Sequence, residues 1–578
     1  MVSKIPRNIL SGPGSLIPES IFENHLRTAV HLATVGVPVG IIVGTAIAGY
    51  DYTVNTLLWD TFLRHFPPQA LCLLPIAGML LTGIILSAFR VSSPSMADEV
   101  VRAYHNPEKG IEYRTAIPKL AASVATMGFG CSAGMEGASK WLGGTIASFI
   151  QAKLNKWNRL RFTHAKVETM LLAGAAAGIG AIFRAPLTGA IMGIESPYKH
   201  DLAHEALLHA LVTSAVSYAT FSFLRTSSPY FPIHFKYVLH VRDLLLCIPL
   251  GILAGLSSHF FLGSLRSIKQ TCNRWGAPIL MKYALGGAAI SSVAWMAYFI
   301  AGEPATLQAG LPVANRLLNG QYALGICLFL FLAKLMATSF TFGMGGVGGL
   351  FVPSATIGAA LGAACDVLFH PSQPGLFTLV GIAAFTGASY NSLLFSAVFI
   401  AEASGSPALV VPGLLASSAA FLVSAGVSNS QSQHPMRITN SVKMGNAACG
   451  AWMTTRIFVV KVNETLQEVS ERAFTQHGFR ELPVINENGV FLGMISMTAL
   501  KNLDPVELEM ATVSEFMDRK AVVVFPSTPM LEVERKFAEN HLDYLPVIDS
   551  VSEKLMGVLS PTDVLRARQK VGVNLEKD

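Results

Sequence analysis

Long runs without a charged side chain constrain this chain more than any other feature of its sequence. No Asp, Glu, Lys or Arg occurs between Arg27 and Asp51, and still longer gaps run from Lys334 to Asp366 and from Asp366 to Glu402. A helix that crosses a bilayer needs about 20 consecutive, mostly apolar residues. Backbone in lipid must satisfy its own hydrogen bonds, and such long apolar runs do so as helices. The gaps therefore predict a bundle of membrane-spanning helices.

Composition and charge support this prediction and suggest the domain boundaries. Only 13% of the 578 residues are charged, whereas soluble domains carry about 25%. The net charge of +6 is modest and spread along the chain, so it indicates no nucleic-acid partner. Lys4 and Arg7 precede the first apolar stretch, which favours a cytoplasmic N-terminus. We predict a cytoplasmic segment, a transmembrane domain, a linker and two small C-terminal domains, at 1–28, 29–437, 438–447, 448–508 and 509–578.

The C-terminal region contains two copies of one pattern. Each copy has Leu-Pro-Val-Ile, a polar turn, and then Gly followed by apolar residues and Ser, at 481–500 and 544–565. An amphipathic helical stretch precedes each copy, so helix and strand periodicities alternate as in small α/β modules. The two modules resemble CBS domains, which pair through their sheets and often bind adenine nucleotides.

Three matches to enzyme motifs fail on their context. The G-x-S-x-G match at Gly130–Gly134 lacks the strand and the α/β sheet that a hydrolase nucleophile needs. The G-x-G-x-x-G match at Gly343–Gly348 lies between apolar helices instead of in a βαβ unit. His204 and His209 are at i and i+5, about 140° apart on a helix, whereas zinc-binding histidines are at i and i+4. We therefore predict no enzymatic activity and no metal site.

Two glycine-rich segments have the chemistry of an anion site. Helix N-termini expose N–H groups with partial positive charge, and glycine lets a backbone approach its ligand closely. The first segment is Gly134-Met135-Glu136-Gly137-Ala138, and no charged residue occurs between Lys119 and Glu136. The second is Gly349-Leu350-Phe351-Val352-Pro353. An ionisable residue within a membrane segment is costly and points to function.

These segments resemble the motifs G-[KR]-E-G-P and G-x-F-x-P of the CLC family of chloride channels and chloride/proton antiporters. Met135 and Ala138 depart from the first motif, whereas the second matches without substitution. A third stretch, Phe183 to Gly189, resembles the family's F-x-A-P-L-x-G helix. The resemblance spans residues 30 to 435 and implies an inverted-repeat architecture and a homodimer with one chloride path per subunit.

The resemblance also implies roles for individual residues. Glu136 would occupy the anion path, gate it and carry protons. The anion would lie against Gly134, Gly349 and the backbone N–H groups of Leu350 and Phe351.

Two departures from the family concern the inner end of the path. The family's first filter motif, G-S-G-I-P, aligns with residues 94–98, which keep only Ser95 as a predicted anion ligand. Asp98 would repel anions there unless it is neutralised or faces away. The family's central tyrosine has no counterpart, since no tyrosine occurs between Tyr390 and Tyr544. We therefore predict a wider inner gate built around Ser95 and Ser430.

A third departure concerns protons. In typical antiporters of the family, a second glutamate takes up cytoplasmic protons at the position after Glu195, where this chain has Ser196. Serine does not titrate near neutral pH. Proton entry would then need Glu195, a histidine or a water chain. A channel and a coupled antiporter both remain open.

The second C-terminal module contains the pattern G-x-x-[ST]-x-x-D of nucleotide-binding CBS domains, from Gly557 to Asp563. The resemblance implies that Ser560 lies near a phosphate and that Asp563 binds ribose hydroxyls. The first module has Ala499 where the aspartate is expected. We expect either one site for ATP or another adenine nucleotide, or a purely structural pair that supports dimerisation.

Two other classes of CBS-bearing membrane protein fit less well. An intramembrane protease would need the zinc spacing that His204 and His209 lack, and a cation transporter would need several acidic residues in its membrane segments. The prediction is a multi-pass membrane protein with cytoplasmic CBS domains and cytoplasmic termini. Its partners would be lipid, chloride and, in an antiporter, protons.

Overall fold

The computed structural model describes residues 26–91, 93–157, 165–233, 238, 240–436, 447–475, 480–500, 503–540 and 542–573. The chain divides into two compact units, Met1–Met436 and Arg437–Asp578. The predicted segment 1–28 lies outside the described residues except for its last three, and the predicted linker 438–447 does so except for its last one.

Within the described residues, eight helices of the first unit are long and apolar enough to cross a membrane. They are Leu26–His65, Pro68–Ala88, His204–Leu224, Val241–Arg274, Ile279–Ala301, Leu324–Gly343, Phe351–Phe369 and Pro407–Ser424. The stretches of sequence without charged residues give these helices their apolar side chains. The fold class predicted from those gaps, a polytopic helical membrane protein, is confirmed.

Besides these helices, the unit contains others of eight or more residues. Several of these are too short or too deeply buried to face lipid alone. The other helices are Ala97–His105, Ala116–Gly128, Glu136–Asn155, Val167–Phe183, Pro186–Glu195, Leu311–Leu318, Leu376–Tyr390 and Leu393–Ser404. Val167–Phe183 and Leu376–Tyr390 are buried along nearly their whole length. They form the centre of the unit.

Glycine allows these central helices to pack backbone against backbone. A Cβ added to Gly143 would lie 2.1 Å from the carbonyl oxygen of Gly174, and one added to Gly358 would lie 2.4 Å from that of Gly381. Small residues at such contacts are typical of helix packing in membranes. The glycine clusters in the sequence therefore serve close helix packing as well as the site described below.

The central helices form two sets of three in the same order. The first set is Glu136–Asn155, Val167–Phe183 and Pro186–Glu195, and the second is Phe351–Phe369, Leu376–Tyr390 and Leu393–Ser404. In each set a non-glycine residue with positive φ joins the second helix to the third, Arg184 at 55° and Asn391 at 52°. The same local conformation at equivalent points marks the sets as a structural repeat.

Two glutamates show that the repeat is inverted. Glu195, at the end of the Pro186–Glu195 helix, accepts hydrogen bonds of 3.1 and 2.9 Å from N–H groups in the first turn of Leu393–Ser404. Glu402, near the end of Leu393–Ser404, accepts hydrogen bonds of 3.0 and 2.7 Å from N–H groups in the first turn of Pro186–Glu195. Each carboxylate accepts hydrogen bonds from first-turn N–H groups of the other helix, which have no acceptor within their own helix. The two helices are therefore antiparallel.

The second unit contains the two modules predicted from the repeat. In the first module, strand Glu481–Ile485 pairs with Val460–Lys461 in parallel and with Phe491–Ser496 in antiparallel. In the second, Leu545–Ile548 pairs with Leu555–Leu559 in antiparallel. Each Leu-Pro-Val-Ile sequence is thus a strand, as its apolar pattern predicts. The helices of four or more residues are Leu466–Val469, Ser470–Thr475, Met497–Leu500, Pro505–Met510, Val513–Phe516, Met530–Asn540 and Pro561–Val573.

Candidate functional site

Two helix N-termini meet in the interior of the membrane unit. Gly134 and Gly349, which precede the helices Glu136–Asn155 and Phe351–Phe369, exchange both backbone hydrogen bonds, with N···O distances of 2.8 and 2.6 Å. The first N–H groups of a helix have no partner within it and carry partial positive charge. Their convergence creates an anion-attracting junction built from backbone alone.

The Glu136 carboxylate occupies this junction and is 2% exposed. Its Oε1 accepts hydrogen bonds from the N–H of Phe351 at 2.5 Å and from the N–H of Val352 at 3.3 Å. Its Oε2 has no hydrogen-bond partner among the described residues. A buried carboxylate with one unsatisfied oxygen is poorly compensated. Any small anion that reaches the junction competes with it for the same amides.

Glycine is required on both sides of this carboxylate. A Cβ on Gly349 would lie 2.1 Å from Oε1 of Glu136, and a Cβ on Gly134 would lie 2.1 Å from Oε2. These distances are far below van der Waals contact, so any larger residue would displace the side chain. The two motifs noticed in the sequence are thus parts of one site, and Gly134, Glu136, Gly349 and Phe351 lie together in it.

The contacts of the carboxylate include one amide that the sequence did not indicate. The sequence assigned the anion to the N–H groups of Leu350 and Phe351, whereas the carboxylate binds those of Phe351 and Val352. Leu350 is the N-cap residue of the Phe351–Phe369 helix, and its role as an anion ligand stays a prediction.

Tyr390 was missed in the sequence analysis, which led us to expect no tyrosine at the site. It ends the Leu376–Tyr390 helix, and its ring packs edge-on against Phe351 with 5.6 Å between ring centroids. The wider inner gate stays a prediction. No sequence pattern indicated Tyr390, because its contact with Phe351 joins two separate helices.

The two serines predicted at the inner gate do not form a pair. Ser95 is exposed just before the Ala97–His105 helix, whereas the Ser430 hydroxyl donates to Asp98 at 2.6 Å. Ser432 donates to the same carboxylate through its N–H at 3.1 Å and its hydroxyl at 2.8 Å. Three donors thus bind Asp98, the aspartate that would repel anions unless it is neutralised or faces away.

Glu195, predicted to transfer protons, lies in a structural position. It is 8% exposed, and both of its oxygens accept hydrogen bonds from backbone N–H groups of the Leu393–Ser404 helix. Ser196 beside it donates weakly to the Gly193 carbonyl at 3.4 Å. Glu195 is therefore a cap of the Leu393–Ser404 helix, and its part in proton transfer stays a prediction.

The second unit contains a cavity of about 160 Å³ to which both modules contribute side chains. Ser560 and Asp563 line it, together with Arg456, Glu481 and Tyr544. The N–H and hydroxyl of Ser560 donate to Oδ2 of Asp563 at 3.0 and 2.7 Å. Burial, followed by the nearby carboxylates of Asp543 and Asp518, raises the pKa of Glu481. The first module thus contributes a basic and an acidic side chain to the cavity, Arg456 and Glu481, and the second contributes Asp563.

No group of three or more His, Cys, Asp or Glu side chains among the described residues is arranged to hold a metal ion.

Comparison with known proteins identifies two family models in the chain. The model described as voltage gated chloride channel matches residues 77–425, and the CBS domain model matches 449–504 and 513–570. The uncharacterized protein MJ0305 of Methanocaldococcus jannaschii is 28% identical over 353 residues, which cover 61% of this chain and 85% of that protein. The H(+)/Cl(−) exchange transporter ClcA of Citrobacter koseri is 26% identical over 314 residues, and the match spans 52% of this chain and 64% of ClcA.

Solved structures agree on the fold. A slow cyanobacterial Cl−/H+ antiporter superposes with a TM-score of 0.59 at 22% identity, covering 69% of this chain and 94% of its own. A eukaryotic CLC transporter superposes with a TM-score of 0.58 at 19% identity and covers 93% of this chain and 98% of its own. The second match therefore extends beyond the membrane unit. With the family model covering more than half of the chain, this protein belongs to the voltage gated chloride channel family and carries two C-terminal CBS domains.

Proposed function

We propose that this protein transports chloride across a membrane and that the Glu136 side chain is the gate. The observation that carries the proposal is the position of its carboxylate on the N–H groups of Phe351 and Val352. A chloride ion can accept hydrogen bonds from the same amides once the side chain has left. The site therefore holds either its own carboxylate or a transported anion.

Protonation of Glu136 provides a reason for the side chain to leave. A neutral carboxyl group loses the charge that strengthens its bonds to the amides. Chloride then competes more successfully for the junction. In an antiporter, a proton would bind Glu136 from one side of the membrane and leave on the other side, in the direction opposite to chloride. The ClcA relatives are named for such an exchange. A channel would use the same gate without carrying the proton across.

Parallel measurements of chloride and proton flux in liposomes containing the purified protein test this proposal. We expect chloride efflux from the wild type that depends on pH, and opposing proton movement if the protein is an antiporter. Glu136→Ala should keep or raise the chloride flux and remove both its pH dependence and any proton movement. Glu108→Ala, which removes an exposed carboxylate, serves as the matched control. Unchanged pH dependence in Glu136→Ala, or no chloride flux in the wild type, would refute the proposal.

We further propose that the cavity between the modules binds an adenine nucleotide that regulates transport. Ser560 and Asp563 lie at this cavity with Arg456, a cation suited to phosphate. Isothermal titration of the full-length chain in detergent with ATP, ADP and AMP tests binding. Asp563→Ala should abolish the heat, and Ser496→Ala in the first module should not. No heat from the wild type with any nucleotide would favour a purely structural pair.

The remaining proposals concern assembly and orientation. We propose a homodimer with one chloride path per subunit, and CBS domains and termini in the cytoplasm. The mass of the detergent-solubilised protein tests the first, and protease access to the CBS domains in sealed vesicles of known orientation tests the second.

A further inference from the structure

Two threonines occupy equivalent positions in the two repeats. Thr126 lies ten residues before Glu136, and Thr341 lies ten residues before Phe351. Glu136 and Phe351 are the first residues of corresponding helices. Each threonine belongs to the helix that precedes the loop before its repeat, and both side chains are fully buried. The two loops are 129–135 and 344–350.

Each threonine hydroxyl accepts a hydrogen bond from the loop of the opposite repeat. The Ser132 N–H donates to Oγ1 of Thr341 at 3.2 Å, and the Val347 N–H donates to Oγ1 of Thr126 at 3.1 Å. Ser132 and Val347 are both the fourth residue before the helix that follows. The two bonds are therefore equivalent, and each crosses from one repeat to the other.

Both hydroxyl groups also bond within their own helices. The Thr341 hydroxyl donates to the Ala337 carbonyl at 2.8 Å, and the Thr126 hydroxyl donates to the Ala122 carbonyl at 2.9 Å. Thr126 has a further partner in the hydroxyl of Thr82 at 2.8 Å. A hydroxyl has two lone pairs, and one of them remains for the N–H of the opposite loop. Valine has the same shape but accepts no hydrogen bond, so it would leave that buried N–H without a partner.

The two threonine bonds lie on either side of the contact that forms the anion-attracting junction. Gly134 and Gly349, which exchange backbone hydrogen bonds there, come two residues after Ser132 and Val347. That exchange joins the loops at one point, about which they can twist. One threonine bond on each side adds two further points of attachment. Three contacts together fix the orientation of one helix N-terminus relative to the other.

We propose that Thr126 and Thr341 are positioning residues of the anion site. Their hydroxyls hold the two helix N-termini at the separation that a small monovalent anion such as chloride needs once Glu136 has left. Neither hydroxyl touches the anion, since each acts through the loop backbone that it binds. A site that is ordered before its ligand arrives binds that ligand more tightly. The inference rests on the proposed chloride transport and adds the residues that set the affinity and size preference of its site.

Calorimetric titration of the purified full-length protein with chloride and with iodide, in detergent and halide-free buffer, tests the proposal. Thr126→Val and Thr341→Val should each weaken chloride binding about tenfold. Each should also lower the ratio of chloride affinity to iodide affinity, because a loosened junction adapts to the larger ion. Thr386→Val is the matched control, since it removes a fully buried hydroxyl that donates to the Ile382 carbonyl of its own helix at 2.7 Å.

Serine variants separate positioning from a purely structural role. Thr126→Ser and Thr341→Ser keep the hydroxyl and should restore the chloride affinity and the affinity ratio that the valine variants lose. A smaller folded fraction lowers the number of binding sites but does not change the ratio of two affinities. If a valine variant does not fold, Thr126→Ala and Thr341→Ala remove the same acceptor without placing a methyl group against the amide, and they are compared with the serine variants in the same way.

The outcomes distinguish this inference from the proposed function. Wild-type chloride affinity and affinity ratio in the variants without the hydroxyl, together with normal chloride flux in the wild type, would overturn the inference and leave the proposed function intact. Serine variants that bind chloride no better than the variants without the hydroxyl would also overturn it. A wild type that neither binds nor transports chloride would overturn both.

Discussion

Removing the Glu136 carboxylate should tighten chloride binding at the junction. The carboxylate is a resident competitor, so the wild-type affinity is reduced by the free energy needed to displace it. Hydrogen bonds to a charged acceptor contribute about 1.5–3 kcal/mol when buried. The bond from Phe351 at 2.5 Å is short and the bond from Val352 at 3.3 Å is long. Water rehydrates the released side chain and offsets part of this free energy. We therefore take about 2 kcal/mol for breaking the two bonds, which corresponds to a change of about 30-fold in chloride affinity.

Calorimetric titration with chloride at a fixed pH measures this change. Glu136→Ala should bind chloride about 30-fold more tightly than the wild type. Glu136→Gln should fall between them, because a neutral amide oxygen still accepts from the two N–H groups but more weakly. Glu108→Ala controls for the loss of one carboxylate. An affinity in Glu136→Ala that equals or falls below the wild-type value would refute the competition between side chain and anion.

Three further predictions concern the surroundings of the gate and the CBS cavity. Gly349→Ala places a Cβ 2.1 Å from the Glu136 carboxylate, so it should expel the side chain and give pH-independent chloride flux; normal pH dependence would contradict the packing argument. Glu195→Gln should lower the thermal unfolding temperature in detergent, through a loss of about 1–3 kcal/mol of capping, and leave the pH dependence of flux unchanged; a changed pH profile would instead support a proton-transfer role. Because the pKa of Glu481 is raised, a falling pH neutralises this residue before an ordinary glutamate and removes a negative charge from the cavity. ATP affinity, measured by calorimetry, should therefore rise as the pH falls, and Glu481→Gln should bind more tightly at neutral pH and lose that dependence.

The sequence predicted the helical membrane unit, the two modules and the meeting of Glu136 with the second glycine-rich segment. These predictions succeed because apolar length, glycine and helix N-termini act locally, so short stretches of sequence contain the information. The bond between Glu136 and Phe351 joins residues that are 215 positions apart. It was predictable only because both segments resemble known motifs.

The contacts that the sequence did not predict all depend on tertiary structure. Tyr390 packs against Phe351 from a helix where the family resemblance asks for no tyrosine. Asp98 becomes acceptable because a segment more than three hundred residues later supplies Ser430 and Ser432.

The reciprocal caps of Glu195 and Glu402 limit how this protein can move. Many transporters expose their substrate by rocking one repeat against the other. Here such rocking would strip each carboxylate from the first turn of the opposite helix, and both caps would have to break together. We therefore expect anion passage to depend on movement of individual side chains, that of Glu136 above all, within a scaffold that stays closed.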